Sequence, residues 1–150
     1  MRKIKVKKET RVNLQLCSQE ALDSFGYLSA LRVDGYLNLA YCAGATRIPE
    51  GLKVNGDLNL NGCVGITSLP DGFRVGGDLI LYKCSGFAEL PDDLTVAGEL
   101  FLWGCTGITS LPDDLHVAGN ILYDSKTGFF GHVHEPGVIP GNLKNKLKEI

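Results

Sequence analysis

The 150-residue chain has one tryptophan and one methionine, and no stretch of it approaches the ~18 consecutive apolar residues of a membrane-spanning helix. Its basic opening is not followed by the apolar core, about 7–15 residues long, of a secretory signal, so a cytoplasmic protein without a membrane role is expected. No two cysteines stand in the C-x₂₋₄-C pairing typical of structural zinc, and the odd count of five argues against a framework of disulfides alone. Disulfides are not needed either, because a chain of this size can bury roughly 68–70% of its unfolded surface in one domain. Nucleophile elbow, phosphate loop and paired-acid motifs are all missing, so no enzyme and no cofactor is expected.

The net charge of −2 conceals a strong asymmetry. Residues 1 to 12 hold six Lys or Arg against one Glu, and residues 144 to 150 hold three Lys against one Glu. The body from 13 to 143 then has six basic and fifteen acidic groups, a net −9. A nucleic-acid-binding body would need a basic face, so a nucleic-acid or membrane-surface role would have to reside in the termini.

What the chain has in abundance is self-similarity. Glycines 35, 56, 77, 98 and 119 recur every 21 residues, as do Cys42, Cys63, Cys84 and Cys105, and Pro49, Pro70, Pro91 and Pro112. Four full copies span 35–118; residues 1–34 read as an N-terminal cap with a degenerate repeat, and 119–150 as a degenerate repeat with a C-terminal cap. Counting from the opening Gly, apolar residues occupy positions 3, 5, 11, 14, 18 and 20 of each copy. Positions 3 and 5 have the two-residue period of a strand. One copy is too short to bury its own apolar face, so the copies must stack. Position 10 is always Gly, which calls for a positive φ or a close backbone approach; the first would make Gly86→Val strongly strained.

The pattern LxLxxCxxIxxLPxxLxVxG resembles the leucine-rich repeat over roughly residues 12 to 135, most closely bacterial repeats with the Leu-Pro bend. The resemblance implies a mainly β solenoid whose parallel sheet binds proteins. A short strand at position 20, close before the one at position 3, allows a two-sided parallel β-solenoid as the alternative. At the ends, Lys3 to Lys8 suits an edge strand, and Val12 to Leu16 echoes the repeat strand. Ser18 is placed to cap a helix burying Ala21, Leu22 and Phe25, and Asn142 to cap one that buries Leu143, Leu147 and Ile150.

The cysteines are expected to form a structural line of small buried groups, ~4.8 Å apart, with Cys17 outside the register and exposed. His132, His134 and Glu135 sit where the fifth copy loses its pattern; they could build a metal or hydrolytic site, against which stands a plain capping loop. His116 reads as a surface residue. The sharper signal lies at positions 2, 4 and 6, which point out of the sheet when 3 and 5 point in. Asn38, Asn59 and Asn61 fill this face in the first two coils, whereas the third to fifth present Ile80, Tyr82, Phe101, Trp103 and Leu122. Beside them run the acids Asp57, Asp78 and Glu99. The C-terminal tail could cover these rings. Left open, they make an apolar patch of the kind that marks an interaction site. The expected function is protein binding, with the rings as anchors, the acids as steering charge, and the partner either a second copy or a different protein. An immunity, effector or phage-encoded inhibitor role would suit so small a binder.

Overall fold

The structure, a computed structural model, describes the backbone of Val12–Asn13, residues 32–131 and residues 137–150. The expected strand at 3–8, the helix of Ala21, Leu22 and Phe25, Cys17, and the loop of His132, His134 and Glu135 lie outside the described residues.

Each coil contributes two short strands on either side of a corner. At positions 19 and 20 these are β2 (Arg32–Val33), β4 (Lys53–Val54), β6 (Arg74–Val75), β8 (Thr95–Val96) and β10 (His116–Val117), which form a five-stranded sheet. At positions 3 and 4 they are β3 (Leu37–Asn38), β5 (Leu58–Asn59), β7 (Leu79–Ile80), β9 (Leu100–Phe101) and β11 (Ile121–Tyr123). With β1 (Val12–Asn13) at one edge and β12 (Leu147–Glu149) at the other, these make a seven-stranded sheet. All pairings are parallel, and those between the repeat coils keep the 21-residue register: Leu58 lies between Leu37 and Leu79, and Val75 between Val54 and Val96. The chain is therefore mainly β and two-sided, the second of the two architectures that the pattern allows.

The corner between the sheets explains the glycine at position 1. A Cβ on Gly56 would stand 2.5 Å from the carbonyl oxygen of Gly35, and on Gly77 or Gly98 it would collide with the carboxylate of Asp57 or Asp78 in the coil before. Position 10 is constrained in the same way, by crowding and not by φ: a Cβ on Gly65 would meet the Ala45 carbonyl at 2.7 Å, and one on Gly86 would strike that of Val64. Gly86→Val remains disruptive, but the strain arises from this collision. Left-handed φ occurs instead at position 7, in Tyr41 (61°), Gly62 (70°), Lys83 (55°) and Gly104 (69°), and at position 17 in Gly51, Gly72 and Asp93.

A continuous core fills the space between the sheets. Leu58, Leu79 and Leu100 at position 3, Ile66, Phe87 and Ile108 at position 11, and the valines at position 20 are all buried in it. The cysteine line is buried as expected, yet its sulfurs do more than fill space. Cys63 Sγ donates to the Leu39 carbonyl at 2.9 Å, Cys84 to that of Leu60 at 2.9 Å, and Cys105 to that of Leu81 at 2.8 Å. In the fifth coil the Thr127 hydroxyl makes the equivalent bond to Leu102 at 2.9 Å. These three thiols are free, whereas Cys42 is disulfide-bonded, so the line is not uniform.

The C-terminal end departs from the expected helix. Residues Gly141–Lys146 form a 3₁₀ helix and the chain then joins the sheet as β12, with Leu147 opposite Ile121. Leu143 is buried, Leu147 is partly buried, and Ile150 is exposed. The reason is that the repeat resumes. Ile139, Pro140 and Leu143 have the spacing of positions 14, 15 and 18, and the Leu143 N–H donates to the Pro140 carbonyl as the Phe73 N–H does to Pro70. The nine residues between Phe129 and Ile139 replace the two between Phe87 and Leu90, and this insertion hides the register. The 3₁₀ helix takes the place of a strand at positions 19 and 20, so among the described residues the second sheet ends at β10.

Two expectations concern the thiols. Cys84→Ala should cost about 1 kcal/mol, because the Leu60 carbonyl loses one of its two donors and keeps only the Cys63 N–H, while Cys84→Ser should recover most of that. Equal urea midpoints for the two variants would show that the bond contributes nothing. Burial pushes the Cys84 and Cys105 thiols up to about 12 from an ordinary 9.0, so in the folded chain they keep protons that the unfolded chain releases. Their contribution is complete below pH 9 and is lost as pH rises towards about 12. The double variant Cys84→Ser/Cys105→Ser should flatten the alkaline limb of a stability-against-pH curve.

Candidate protein-binding face

The outward positions of the seven-stranded sheet are set by the strand period. With Leu79 and Leu81 in the core, Asp78, Ile80 and Tyr82 face away from it, and the 21-residue register sets Phe101 beside Ile80 and Leu122 beside Phe101. Tyr82 and Trp103 stack with ring centroids 4.7 Å apart and planes inclined by 18°. Phe101 meets Tyr82 edge-on at 5.5 Å and 81°. The sheet thus gathers the expected aromatic residues into one cluster. Ile80, Tyr82, Phe101 and Leu122 are half-buried, and Trp103 retains 36% exposure, large for a tryptophan in so compact a stack.

The described part of the C-terminal segment does not lie across these rings. Ile139 and Leu143 enter the core at the end of the stack, and β12 extends the sheet beyond β11, with Lys148 paired to Leu122. Phe129 is buried with them and packs against Tyr123 at 5.2 Å, while Phe130 stays 37% exposed.

The first two coils show why asparagine serves there. Asn59 Oδ1 accepts from the Asn61 N–H at 2.9 Å, its amide donates to the Tyr36 hydroxyl at 2.9 Å, and Asn38 Oδ1 accepts from the Ala40 N–H at 3.0 Å. Asn61 in turn donates to the Tyr41 hydroxyl at 3.3 Å. These amides are occupied with their own scaffold. The hydrophobic residues of the later coils make no such bonds, so apolar surface is what they offer.

The acidic row proves to be part of the frame as well as a charge. Asp57 Oδ1 accepts from the Asp78 N–H at 2.8 Å, Asp78 Oδ1 from the Glu99 N–H at 2.8 Å, and Glu99 Oε1 from the Asn120 amide at 3.0 Å. Each side chain ties its coil to the next, and the missing Cβ at position 1 leaves room for it. Asp57, Asp78 and Glu99 are half-buried and make no ion pair with a described residue. Their field reaches the rings: burial first, then the carboxylates of Glu99 and Asp78, raise the Tyr82 phenol above its ordinary value. At the end of the position-6 row, burial works to raise Asp124. Donation from the Gly104 N–H, the Thr127 hydroxyl and the N–H groups of Lys126 and Thr127 outweighs it and holds the carboxyl below the ordinary aspartate range.

The opposite sheet carries a feature that the sequence reading did not single out. Its outward position 19 holds Arg32, Lys53 and Arg74, all exposed, followed by Thr95 and His116. The same 21-residue period announces it. Arg32 bonds Asp34 at 2.8 Å. The stack accordingly has an acidic, aromatic side and a side with a short basic row.

Among the described residues no three His, Cys, Asp or Glu side chains are grouped to hold a metal, and no helix is long and apolar enough to cross a membrane. His116 is exposed, with Nδ1 2.7 Å from the Asp114 carbonyl. Comparison with protein-family models, with curated proteins and with solved structures finds no match.

The ladder at position 2 can be separated from its charge. Asp78→Ala removes the acceptor of the Glu99 N–H and should cost about 1 kcal/mol in urea unfolding, whereas Asp78→Asn keeps an oxygen in place and should stay within about 0.5 kcal/mol of the parent. A destabilised Asn variant with a normal Ala variant would reverse the assignment.

Proposed function

We propose that this chain is a non-enzymatic protein-binding module and that it engages its partner through the outward face of the seven-stranded sheet. The observation that carries this reading is the Tyr82, Trp103 and Phe101 cluster, set on a sheet whose first two coils do without large apolar side chains at positions 4 and 6. Nothing in the fold requires those rings, since Asn59 and Asn61 complete an equivalent coil. Tryptophan, tyrosine and phenylalanine are the residues most enriched at the centres of interfaces. Ile80 and Leu122 enlarge the apolar surface, and Asp57, Asp78 and Glu99 flank it with charge that steers and orients a partner.

The leucine-rich-repeat resemblance of the Leu and Leu-Pro pattern points the same way, because solenoids of that kind commonly bind proteins. Two sheets and short coils set this chain apart from an open horseshoe, and kinship with that family is a proposal that rests on the pattern alone. A cytoplasmic inhibitor, immunity or effector-type protein is the role that fits a binder of this size.

The test uses one coil as the template for another. Phe101→Asn/Trp103→Asn should melt within about 0.5 kcal/mol of the parent and yet lose at least ~2 kcal/mol of affinity for a captured partner or for itself. A marked loss of thermal stability would instead make the rings structural, and normal stability with undiminished association would sink the binding reading.

A further inference from the structure

We propose that the occupant of this face is an amphipathic helix of a partner protein, lying along the stacking axis with a basic stripe over the acidic row and a neighbouring apolar stripe over the rings. The proposal rests on the protein-binding reading and specifies the partner's chemistry.

Charge supplies the sign. Asp57, Asp78 and Glu99 have no cationic partner among the described residues, and each spends one oxygen on a neighbouring coil. The body from 13 to 143 is net −9, so an acidic occupant would be repelled and a basic one attracted. Tyr82, raised in part by Glu99 and Asp78, shows that this field extends over the apolar cluster.

Spacing supplies the shape. Neighbouring coils lie ~4.8 Å apart, so the three acids span ~9.6 Å along the axis. Side chains at i, i+4 and i+7 of a helix advance by ~6 and ~10.5 Å, nearly one per coil. Alternate side chains of an extended strand advance by ~6.8 Å and span ~13.6 Å over three, which drifts most of a coil out of line. The apolar row of Ile80, Phe101 and Leu122 runs parallel to the acidic row, so a helix carrying two adjacent stripes meets both at once. The patch is bounded at each end: Asn59 precedes Ile80, and Lys148 on β12 follows Leu122. The acids of coils two to four and the apolar residues of coils three to five together occupy four coils, ~14 Å from first to last, room for about ten helical residues.

The lone tryptophan is a built-in reporter. Three probes discriminate: a Lys/Leu peptide patterned as an amphipathic helix, a peptide of the same composition alternated as a strand, and a Glu/Leu helical counterpart. In titration calorimetry and Trp103 fluorescence, the Lys/Leu helical probe should bind at least about tenfold more tightly than either of the others, and should weaken as salt is raised. Trp103→Asn should abolish that binding. Asp57→Asn/Asp78→Asn/Glu99→Gln, which keeps every acceptor oxygen, should remove most of the salt dependence. Equal affinities for the three probes, all dependent on Trp103, would overturn the helix assignment and leave a generic protein-binding face. Binding indifferent to Trp103→Asn would overturn both. Failure of every probe would also overturn the helix assignment, and partner capture with the double asparagine variant judges the underlying reading separately. A dimer of the free chain, seen by sedimentation and lost in Trp103→Asn, would assign the face to a second copy instead.

Discussion

Every coil of this protein must fit onto a near copy of itself at the spacing of a parallel sheet, and the rest of the structure follows from that constraint. In a parallel, in-register stack each residue meets its own equivalent one coil away. Apolar side chains benefit, because leucine lies on leucine and valine on valine through a continuous core. Polar groups face a harder condition. The strands are only two or three residues long, so most backbone groups of a coil lie outside the ladders and must find partners in turns and corners.

The chain meets this condition with one device per row. At position 8 a thiol, and in the fifth coil the Thr127 hydroxyl one position later, reaches back to the position-5 carbonyl of the coil before. At position 2 a carboxylate reaches forward to the next coil. At positions 1 and 10 the absence of a side chain lets a carbonyl or carboxylate approach more closely than a Cβ would permit. Like charges in a row are costly on an open surface, and the backbone N–H donors that Asp57 and Asp78 receive offset part of that repulsion. The acids therefore serve the fold and remain available to a partner, since one oxygen suffices for the backbone bond.

Much of this was legible in the sequence, and the limits have physical causes. Burial at positions 3, 5, 11, 14, 18 and 20 follows from periodicity, because a 21-residue repeat leaves no other way to exclude water. The second sheet stayed an alternative because only position 20 of its two-residue strands faces the core, whereas the first sheet is declared by positions 3 and 5 together. At position 10 the glycine left two readings open, and close approach is the one that holds: Gly86 is needed for space, whereas positive φ falls at positions 7 and 17, where Tyr41, Lys83 and Asp93 adopt it as well as glycines. The thiol bonds were hidden because burial alone accounts for a cysteine, and composition does not reveal where a carbonyl will point. At the C-terminus, Leu143, Leu147 and Ile150 satisfy a helical spacing by coincidence, while Ile139, Pro140 and Leu143 satisfy the repeat; the insertion after Phe129 made the wrong pattern the more conspicuous.

The aromatic cluster is set apart by the same constraint. In a stack, a substitution at an outward position is tested by its neighbours above and below, and an isolated ring would leave both its faces to water. Tyr82 and Trp103 cover one face each against the other, and Phe101 closes an edge. Rings in consecutive coils thus support one another and need no help from the core, which is how a face can gain apolar area while the scaffold beneath it stays unchanged. Tyr82 and Trp103 lie near parallel and one coil apart, and Phe101 stands at 81° to Tyr82. Such a surface is corrugated along the axis at the period of the coils, a texture suited to interdigitating side chains and poorly suited to a flat ring laid upon it.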